Sequence, residues 1–205
     1  MPLAYYITDR QSCSLPILQQ IQQAIDASVD LIQIREKDLA TRPLLELASR
    51  ALELAKGSRS KILINDRVDI ALAGKASGVH LGQEDMPLFY ARALLGHSRL
   101  IGISVSTIVE AHRAEQEGAD YIGVGPVFPT STKDCGRPPL GLDGLRKIRQ
   151  AVGIPILAIG GVNAANARET MDAGADGLAV ISAIMKASDV GLAVTELLAA
   201  IAAKK

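Results

Sequence analysis

Eight short apolar runs divide the chain at roughly even spacing, and this repeat is its most constraining feature. Each run precedes a polar or glycine-containing turn and then apolar residues at helical spacing, as in Leu44, Leu47, Ala48 and Ala51. Runs that are almost continuously apolar are typical of parallel strands buried on both faces. Eight strand-then-helix units predict a (β/α)8 TIM barrel, an α/β fold whose active sites lie at the carboxyl ends of the strands. The runs are Ala4–Ile7, Leu31–Ile34, Ile62–Ile64, Val79–Leu81, Leu100–Ile103, Tyr121–Val124, Ile156–Ile159 and Leu178–Ile181.

Length and composition fit one barrel with little decoration. The 205 residues predict a single domain over 1–205, and 48% hydrophobic with 21% charged residues supplies a closed core. Lysine and arginine number 22, as do aspartate and glutamate, so the zero net charge gives no reason to expect a nucleic acid or a membrane as partner. We therefore expect small molecules as partners. The oligomeric state stays open, a homo-oligomer included.

The cysteines and the absence of long apolar segments indicate a cytoplasmic protein. Cys13 and Cys135 are the two cysteines, and they lack the spacing of metal ligands. The amino terminus has no basic region followed by a long apolar core, and no apolar run approaches the roughly 20 residues that span a bilayer. We expect a reducing compartment and no membrane segment.

Two cations and an amide follow the second predicted strand. In an extended segment Gln33, Arg35 and Lys37 point the same way, so they are expected to converge at the barrel mouth and bind a phosphate or diphosphate. The alternative is a set of interior ion pairs with Glu36 and Asp38. We favour anion binding, because two cations on one side need a counter-anion.

Two carboxylates follow the third and fourth predicted strands. Neighbouring strands bring their ends close together, so Asp66 and Asp85 are predicted to share a Mg²⁺ ion, whose preferred ligands are oxygens. Asn65 precedes Asp66 and lies at the same edge. The alternative is that one or both aspartates cap the helix that follows, as aspartate often does.

Further polar groups follow the later strands. Ser104, after the fifth, is either a ligand contact or a small interior residue. The long connection after the sixth strand contains Thr130, Ser131, Thr132 and Lys133, and hydroxyls followed by a lysine favour phosphate recognition over simple solvation.

A second anion site is predicted where the last two strands end. Gly160 and Gly161 follow the seventh strand and are expected to open a helix, while Ile181 and Ser182 end the eighth. Backbone N–H groups at this place form the phosphate site typical of such barrels. The alternative is that the glycines allow tight packing of a helix on the barrel.

The predicted sites favour a reaction between two phosphorylated molecules without a protein nucleophile. One anion site combines Arg35, Lys37, Lys133 and Mg²⁺, and the other uses Gly161, Ile181 and Ser182. No nucleophile with an adjacent base is visible, because His80 lies inside a strand, His97 and His112 fall in helices or loops, and Cys135 has no partner. Electrostatic stabilisation of a departing diphosphate is the chemistry that these residues support.

These clusters, in this order, resemble those of thiamine-phosphate synthases. The resemblance spans essentially the whole chain and implies condensation of 4-amino-2-methyl-5-hydroxymethylpyrimidine diphosphate with the thiazole phosphate, giving thiamine phosphate and diphosphate by a dissociative route. The motifs are Tyr6-Ile7-Thr8-Asp9, Gln33 to Lys37, Asn65-Asp66, Gly78 to Asp85, Gly118 to Lys133, Gly141-Leu142, Ala158 to Val162 and Gly177 to Ser182.

The resemblance also implies roles for individual residues. Asp66 and Asp85 would hold Mg²⁺, and Arg35, Lys37, Ser104 and Lys133 would be the catalytic groups. The pyrimidine diphosphate would be bound by Gln33, Ile34, Arg35, Glu36, Lys37, Asn65, Ser104 and Lys133, and the thiazole phosphate by Thr130, Ser131, Thr132, Gly161, Ile181 and Ser182.

One position departs from the family pattern. The family commonly has a histidine where this chain has Ser106, which affects a contact near the substrates. A thiazole tautomerase, which shares the barrel, and a thiamine-pathway binding protein without turnover are the alternatives. Asp85 and Pro126 favour the synthase over the tautomerase, and the complete set of Asp66, Asp85 and Lys133 argues against a pure binder.

Overall fold

Parallel strands pair in chain order and close into a barrel. The computed structural model describes residues 3–13, 15–130 and 137–202. Each strand pairs with the next, and β1 also pairs with β8, which confirms the predicted TIM barrel. The strands are β1 (Leu3–Ile7), β2 (Leu31–Ile34), β3 (Lys61–Asn65), β4 (Gly78–Leu81), β5 (Leu100–Val105), β6 (Tyr121–Val124), β7 (Ile156–Ile159) and β8 (Gly177–Val180).

Amphipathic helices surround the barrel. In α2 the residues predicted from their spacing, Leu44, Leu47, Ala48 and Ala51, are the buried ones. No helix in the described ranges combines the length and the apolar character needed to cross a membrane. The helices are α1 (Ile17–Asp26), α2 (Thr41–Leu54), α3 (Val68–Gly74), α4 (Leu88–Leu95), α5 (Ile108–Gln116), α6 (Gly141–Ala151), α7 (Ala167–Asp172), α8 (Ser182–Met185) and α9 (Val190–Ala202).

Strand bounds differ from the prediction at positions that matter for the site. β3 continues to Asn65 and β5 to Val105, so Asn65 and Ser104 belong to strands rather than to the turns after them. Because side chains alternate between the two faces of a strand, a residue inside a strand has a fixed direction. Ser104 lines the cavity at the carboxyl ends of the strands, on the same face of β5 as Gly102.

Three aspartates join neighbouring strands at the amino-terminal end of the barrel. Each directly precedes a strand, and its Oδ2 accepts a hydrogen bond from a backbone N–H of the preceding strand. An arginine pairs with the same carboxylate, so each aspartate links two strands and one cation. The sets are Asp30 with Ala4 N (2.9 Å) and Arg59, Asp120 with Ile101 N (2.7 Å) and Arg92, and Asp176 with Ile156 N (2.8 Å) and Arg149.

We expect Asp120→Ala to lower the free energy of unfolding by about 2 kcal/mol, because it leaves the Ile101 N–H without its acceptor and removes the anionic partner of the Arg92 guanidinium. Urea unfolding measures the change. The control is Asp172→Ala, which removes an exposed pair with Arg168 within one helix and should cost less than about 0.5 kcal/mol. Equal losses in the two variants would contradict a special role for the carboxylate at the strand start.

Candidate active site

A cavity of about 390 Å³ opens at the carboxyl ends of the strands, and residues from all eight strands line it. Its volume suits a small-molecule ligand. Most of the candidate residues that the structure describes meet there. They are Gln33, Arg35, Lys37, Asn65, Asp66, Asp85, Ser104, Thr130, Gly161, Ile181 and Ser182. Ser131, Thr132 and Lys133 lie outside the described residues.

The cations after β2 face the cavity and do not form the alternative ion pairs. Lys37 Nζ lies 3.4 Å from Asp66 Oδ2, across the gap between β2 and β3. Arg35 also lines the cavity, and within the described part of the chain it forms no ion pair. Arg10 is instead the partner of both Glu36 and Asp38. The cationic side of Arg35 and Lys37 is therefore open to an anionic ligand.

Two residues of this segment, predicted as ligand contacts, do not line the cavity. Ile34 is 1% exposed and belongs to the hydrophobic core, because it alternates with the inward-facing Gln33. The Glu36 carboxylate is buried and accepts hydrogen bonds from Thr8 Oγ1 at 2.6 Å and from Arg10 N at 3.0 Å. Burial raises the pKa of Glu36, and these two hydrogen bonds only partly offset it. Glu36 is thus a buried link between two turns.

Asp66 and Asp85 meet at the cavity, and neither caps a helix. The two carboxyl groups are close enough for Asp85 to raise the pKa of Asp66, and Asp85 Oδ2 accepts from Gly82 N at 2.6 Å. Arg67 and Pro87 occupy the positions before α3 and α4, which excludes the capping alternative. Burial raises the pKa of Asp66, contact with Asp85 raises it further, and Lys37 opposes both. Two neighbouring, partly buried carboxyl groups attract a proton or a cation, and Lys37 is the cation that the protein itself supplies.

A buried chain of hydrogen bonds crosses the floor of the cavity, and sequence reasoning missed it. Gln33 Nε2 donates to the Tyr5 hydroxyl at 2.6 Å, and the Tyr5 and Tyr121 hydroxyls lie 3.0 Å apart. Tyr121 OH lies 3.0 Å from His80 Nδ1, and His80 Nε2 lies 2.9 Å from Ser104 Oγ. Gln33, His80 and Ser104 line the cavity, so the chain connects two candidate ligand contacts.

Glycines in neighbouring strands make room for the rings of this chain. Gly102 is in register with both His80 and Tyr121, and a Cβ there would lie 2.0 Å from Tyr121 Cζ. A Cβ at Gly123 would lie 3.0 Å from His80 Cε1. The signal in the sequence was glycine at inward positions of two consecutive strands, next to strands that carry a histidine and a tyrosine.

The glycine pair after β7 lies at the cavity but does not open a helix as predicted. α7 begins at Ala167, six residues after Gly161. Gly160 and Gly161 have φ of +88° and +68°, and a Cβ on them would lie 2.6 Å from Pro126 Cβ and 2.7 Å from Phe128 Cβ. Glycine is required there by the left-handed backbone and by close approach of the segment after β6. The alternative of tight packing is therefore correct in kind, although the neighbour is a loop.

A further cation at the mouth was also missed. Arg137 lines the cavity, and its Nη1 donates to Ser106 Oγ and, at 2.8 Å, to Glu110 Oε1. Glu110 also closes a capping box with Thr107 at the start of α5. Burial alone would raise the pKa of Glu110, but the bonds from Arg137 and Ser106 outweigh it and lower the pKa. Ser106 thus helps to hold a guanidinium at the cavity mouth.

Comparisons with known proteins show the family of this chain. The family model described as thiamine monophosphate synthase matches residues 4–184. A thiamine-phosphate synthase of Chloroflexus aurantiacus is 50% identical over 177 residues, covering 86% of this chain and 82% of that protein. One of Moorella thermoacetica is 46% identical over 191 residues, covering 93% and 91%. The solved structure of thiamine phosphate pyrophosphorylase from Pyrococcus furiosus has a TM-score of 0.88 at 42% identity, covering 97% and 95%. The chain belongs to the thiamine monophosphate synthase family.

Proposed function

We propose that this transferase condenses 4-amino-2-methyl-5-hydroxymethylpyrimidine diphosphate with 4-methyl-5-(2-phosphoethyl)thiazole, releasing diphosphate and forming thiamine phosphate. The observation that carries this proposal is one cavity with two different anion-binding sides. Arg35 and Lys37 lie on the side of β2, and Gly161 with Ser182 lies on the side of β7 and β8. Two phosphorylated substrates can therefore bind with their reacting ends between the two sides.

The residues support a dissociative reaction. As the bond from the pyrimidine methylene to diphosphate breaks, negative charge grows on the leaving oxygens, and Arg35 and Lys37 are placed to stabilise it. The electron-rich aminopyrimidine stabilises the methylene cation, and the thiazole nitrogen captures it. Asn65 and Ser104 line the same part of the cavity and would orient the pyrimidine substrate. Lys133 stays a predicted second contact to the diphosphate.

Asp66 and Asp85 have the properties of a Mg²⁺ site. Their side chains offer only oxygen ligands, and they are partly buried and near enough for Asp85 to raise the pKa of Asp66, so a shared cation would relieve the repulsion between them. No group of three or more histidine, cysteine, aspartate or glutamate side chains that could hold a metal occurs among the described residues, so the substrate diphosphate and water would complete the coordination. When bound, Mg²⁺ would supply positive charge to the leaving diphosphate.

Glu36 positions the segment that carries the two cations. Thr8 Oγ1 donates to Glu36 Oε1 and accepts from Arg35 N at 3.0 Å. Glu36 Oε2 accepts from Arg10 N at 3.0 Å, so the turn after β1 is hydrogen-bonded to the turn after β2. Arg35 and Lys37 flank Glu36 in sequence. The hydrogen bonds of Glu36 therefore fix the backbone positions from which these two side chains extend. Glu36 acts on the diphosphate through its neighbours and does not contact it.

We expect Asp66→Ala and Asp85→Ala each to lower kcat by about 100-fold or more, because each removes a ligand of the charge-stabilising cation. Thiamine phosphate is measured by fluorescence after oxidation. The control is Asp69→Ala, a carboxylate of α3 that pairs with Arg67 outside the cavity and should leave kcat within about twofold. Full wild-type turnover in the presence of EDTA would contradict the metal assignment, and a folded wild type that forms no thiamine phosphate would contradict the function.

We expect Glu36→Gln to raise KM for the pyrimidine diphosphate about tenfold while KM for the thiazole phosphate changes less than about twofold, since the amide weakens the bonds to Thr8 and Arg10. Steady-state kinetics with each substrate varied in turn measure both constants. Glu46→Gln, on the exposed side of α2, is the matched control. Equal rises of both KM values would indicate general damage to the barrel instead.

A further inference from the structure

We infer that the four hydrogen bonds across the cavity floor all run in one direction, from Gln33 to Ser104. In this order His80 is neutral with its proton on Nε2, and the Ser104 hydroxyl hydrogen is left to donate to a ligand. The order of these hydrogen bonds would thereby set which donors and acceptors the cavity floor offers to a ligand. The link to substrate choice rests on the proposed function, whereas the proton order does not.

The order follows from counting hydrogens along the chain. A tyrosine hydroxyl has one hydrogen, and Tyr5 accepts from Gln33 Nε2, so the Tyr5 hydrogen finds an acceptor in this chain of bonds only when it is donated to Tyr121. Tyr121 must then donate to His80 Nδ1, which fixes Nδ1 as an acceptor. The proton of a neutral imidazole then resides on Nε2 and points to Ser104 Oγ, 2.9 Å away.

Burial keeps the donors of the chain protonated. Desolvation raises the pKa of Tyr5 far above its usual value, although the hydrogen bonds to Tyr121 and Gln33 oppose the rise. Desolvation likewise raises the pKa of Tyr121, and the neighbouring Tyr5 adds to it. Both phenols therefore carry their hydrogens at neutral pH. An imidazolium at His80 cannot accept from Tyr121, so the neutral ring is the form that fits the order in which Gln33 Nε2 donates to Tyr5.

Two other arrangements satisfy the same four bonds, and both need the Gln33 amide turned so that its oxygen faces Tyr5. In both, each tyrosine hydroxyl reverses and His80 donates from Nδ1 to Tyr121. In the first, His80 is neutral and Ser104 donates its hydrogen to Nε2, and in the second, His80 is an imidazolium that also donates from Nε2 to Ser104. Mixed orders either break one of the four bonds or leave a buried tyrosine hydroxyl hydrogen without an acceptor, and both outcomes are costly. The chain therefore behaves as a unit.

The inferred order matches a 4-aminopyrimidine. With Nε2 of Gln33 committed to Tyr5, its Oε1 is the acceptor offered to a ligand, and Ser104 offers a donor. An aminopyrimidine ring has the complementary pair, an amino donor beside a ring-nitrogen acceptor. A 4-oxopyrimidine carries a carbonyl acceptor beside a ring N–H donor, which matches the reversed order. Tyr5, Tyr121 and His80 thus become specificity-determining residues that act through Gln33 and Ser104.

Nitrogen NMR of the free protein with ¹⁵N-labelled histidine tests the proton order directly. The protein has three histidines, and the signals of His80 are assigned by their loss in His80→Gln. In the wild type at neutral pH we expect a protonated Nε2 and an unprotonated Nδ1. In Tyr121→Phe the fraction protonated on Nδ1 should rise about fivefold, because the donor to Nδ1 is gone.

Tyr6→Phe is the matched control for this measurement. It removes the hydroxyl of a buried tyrosine that is adjacent to Tyr5 in β1 but donates to Gln20 of α1, outside the barrel interior. Its His80 signals should equal those of the wild type. A wild-type His80 protonated on Nδ1, or on both nitrogens, would overturn the proposal. So would a Tyr121→Phe spectrum that matches the wild type.

Kinetics test whether the chain of hydrogen bonds affects substrate binding through Ser104. We expect Tyr121→Phe to raise KM for the pyrimidine diphosphate about tenfold and to leave KM for the thiazole phosphate within about twofold. Added to Ser104→Ala, the same change should cost less than about twofold more. Full additivity of the two changes would overturn the role in specificity. The NMR result needs no turnover, so failure of the proposed function and failure of this inference are separable.

Discussion

Closure of the parallel sheet between β1 and β8 is the constraint on which the site depends. In an open sheet a strand at the edge can slip, but here every strand is held on both sides, so its alternation of inward and outward residues is fixed. This places Tyr5, His80 and Tyr121 inside, from strands that are not neighbours, with Gly102 leaving the space between two of them. A polar chain can form across the barrel only because the register of all eight strands is set together.

The two ends of the barrel divide stability from chemistry. At the amino-terminal end, Asp30, Asp120 and Asp176 each join a strand to its predecessor and to an arginine, and none of them lines the cavity. At the carboxyl end, carboxylates and cations lie close together without full compensation, as the raised pKa of Asp66 shows. Such an arrangement costs stability and is useful only when a charged ligand arrives. The anchors at the opposite end offset that cost without touching the ligand.

The sequence alone predicted the barrel and most residues at its mouth, because apolar runs and strand ends are local features. It placed Ile34 and Glu36 at the ligand, whereas neither lines the cavity. Spacing indicates which residues share a face of a strand, but it does not predict that Thr8 and Arg10 bind the Glu36 carboxylate in a buried position. It also passed over His80 as an ordinary strand residue. Partners 41 and 116 positions apart, as in the bonds of Tyr121 to His80 and Tyr5, follow from the closed register and not from any local pattern. Arg137 was missed because its partners, Ser106 and Glu110, lie 31 and 27 positions away in sequence.

Gly102 shows how an empty position takes part in recognition. It has no side chain, and its contribution is the volume that the Tyr121 ring fills beside His80. A mutational scan scored by growth without thiamine would mark position 102 as intolerant, and an observer looking for reactive groups would find none. A side chain at position 102 would displace the Tyr121 ring, and His80 would lose its hydrogen-bond partner. The space at this point of the wall is thus as necessary to the arrangement as the functional groups around it.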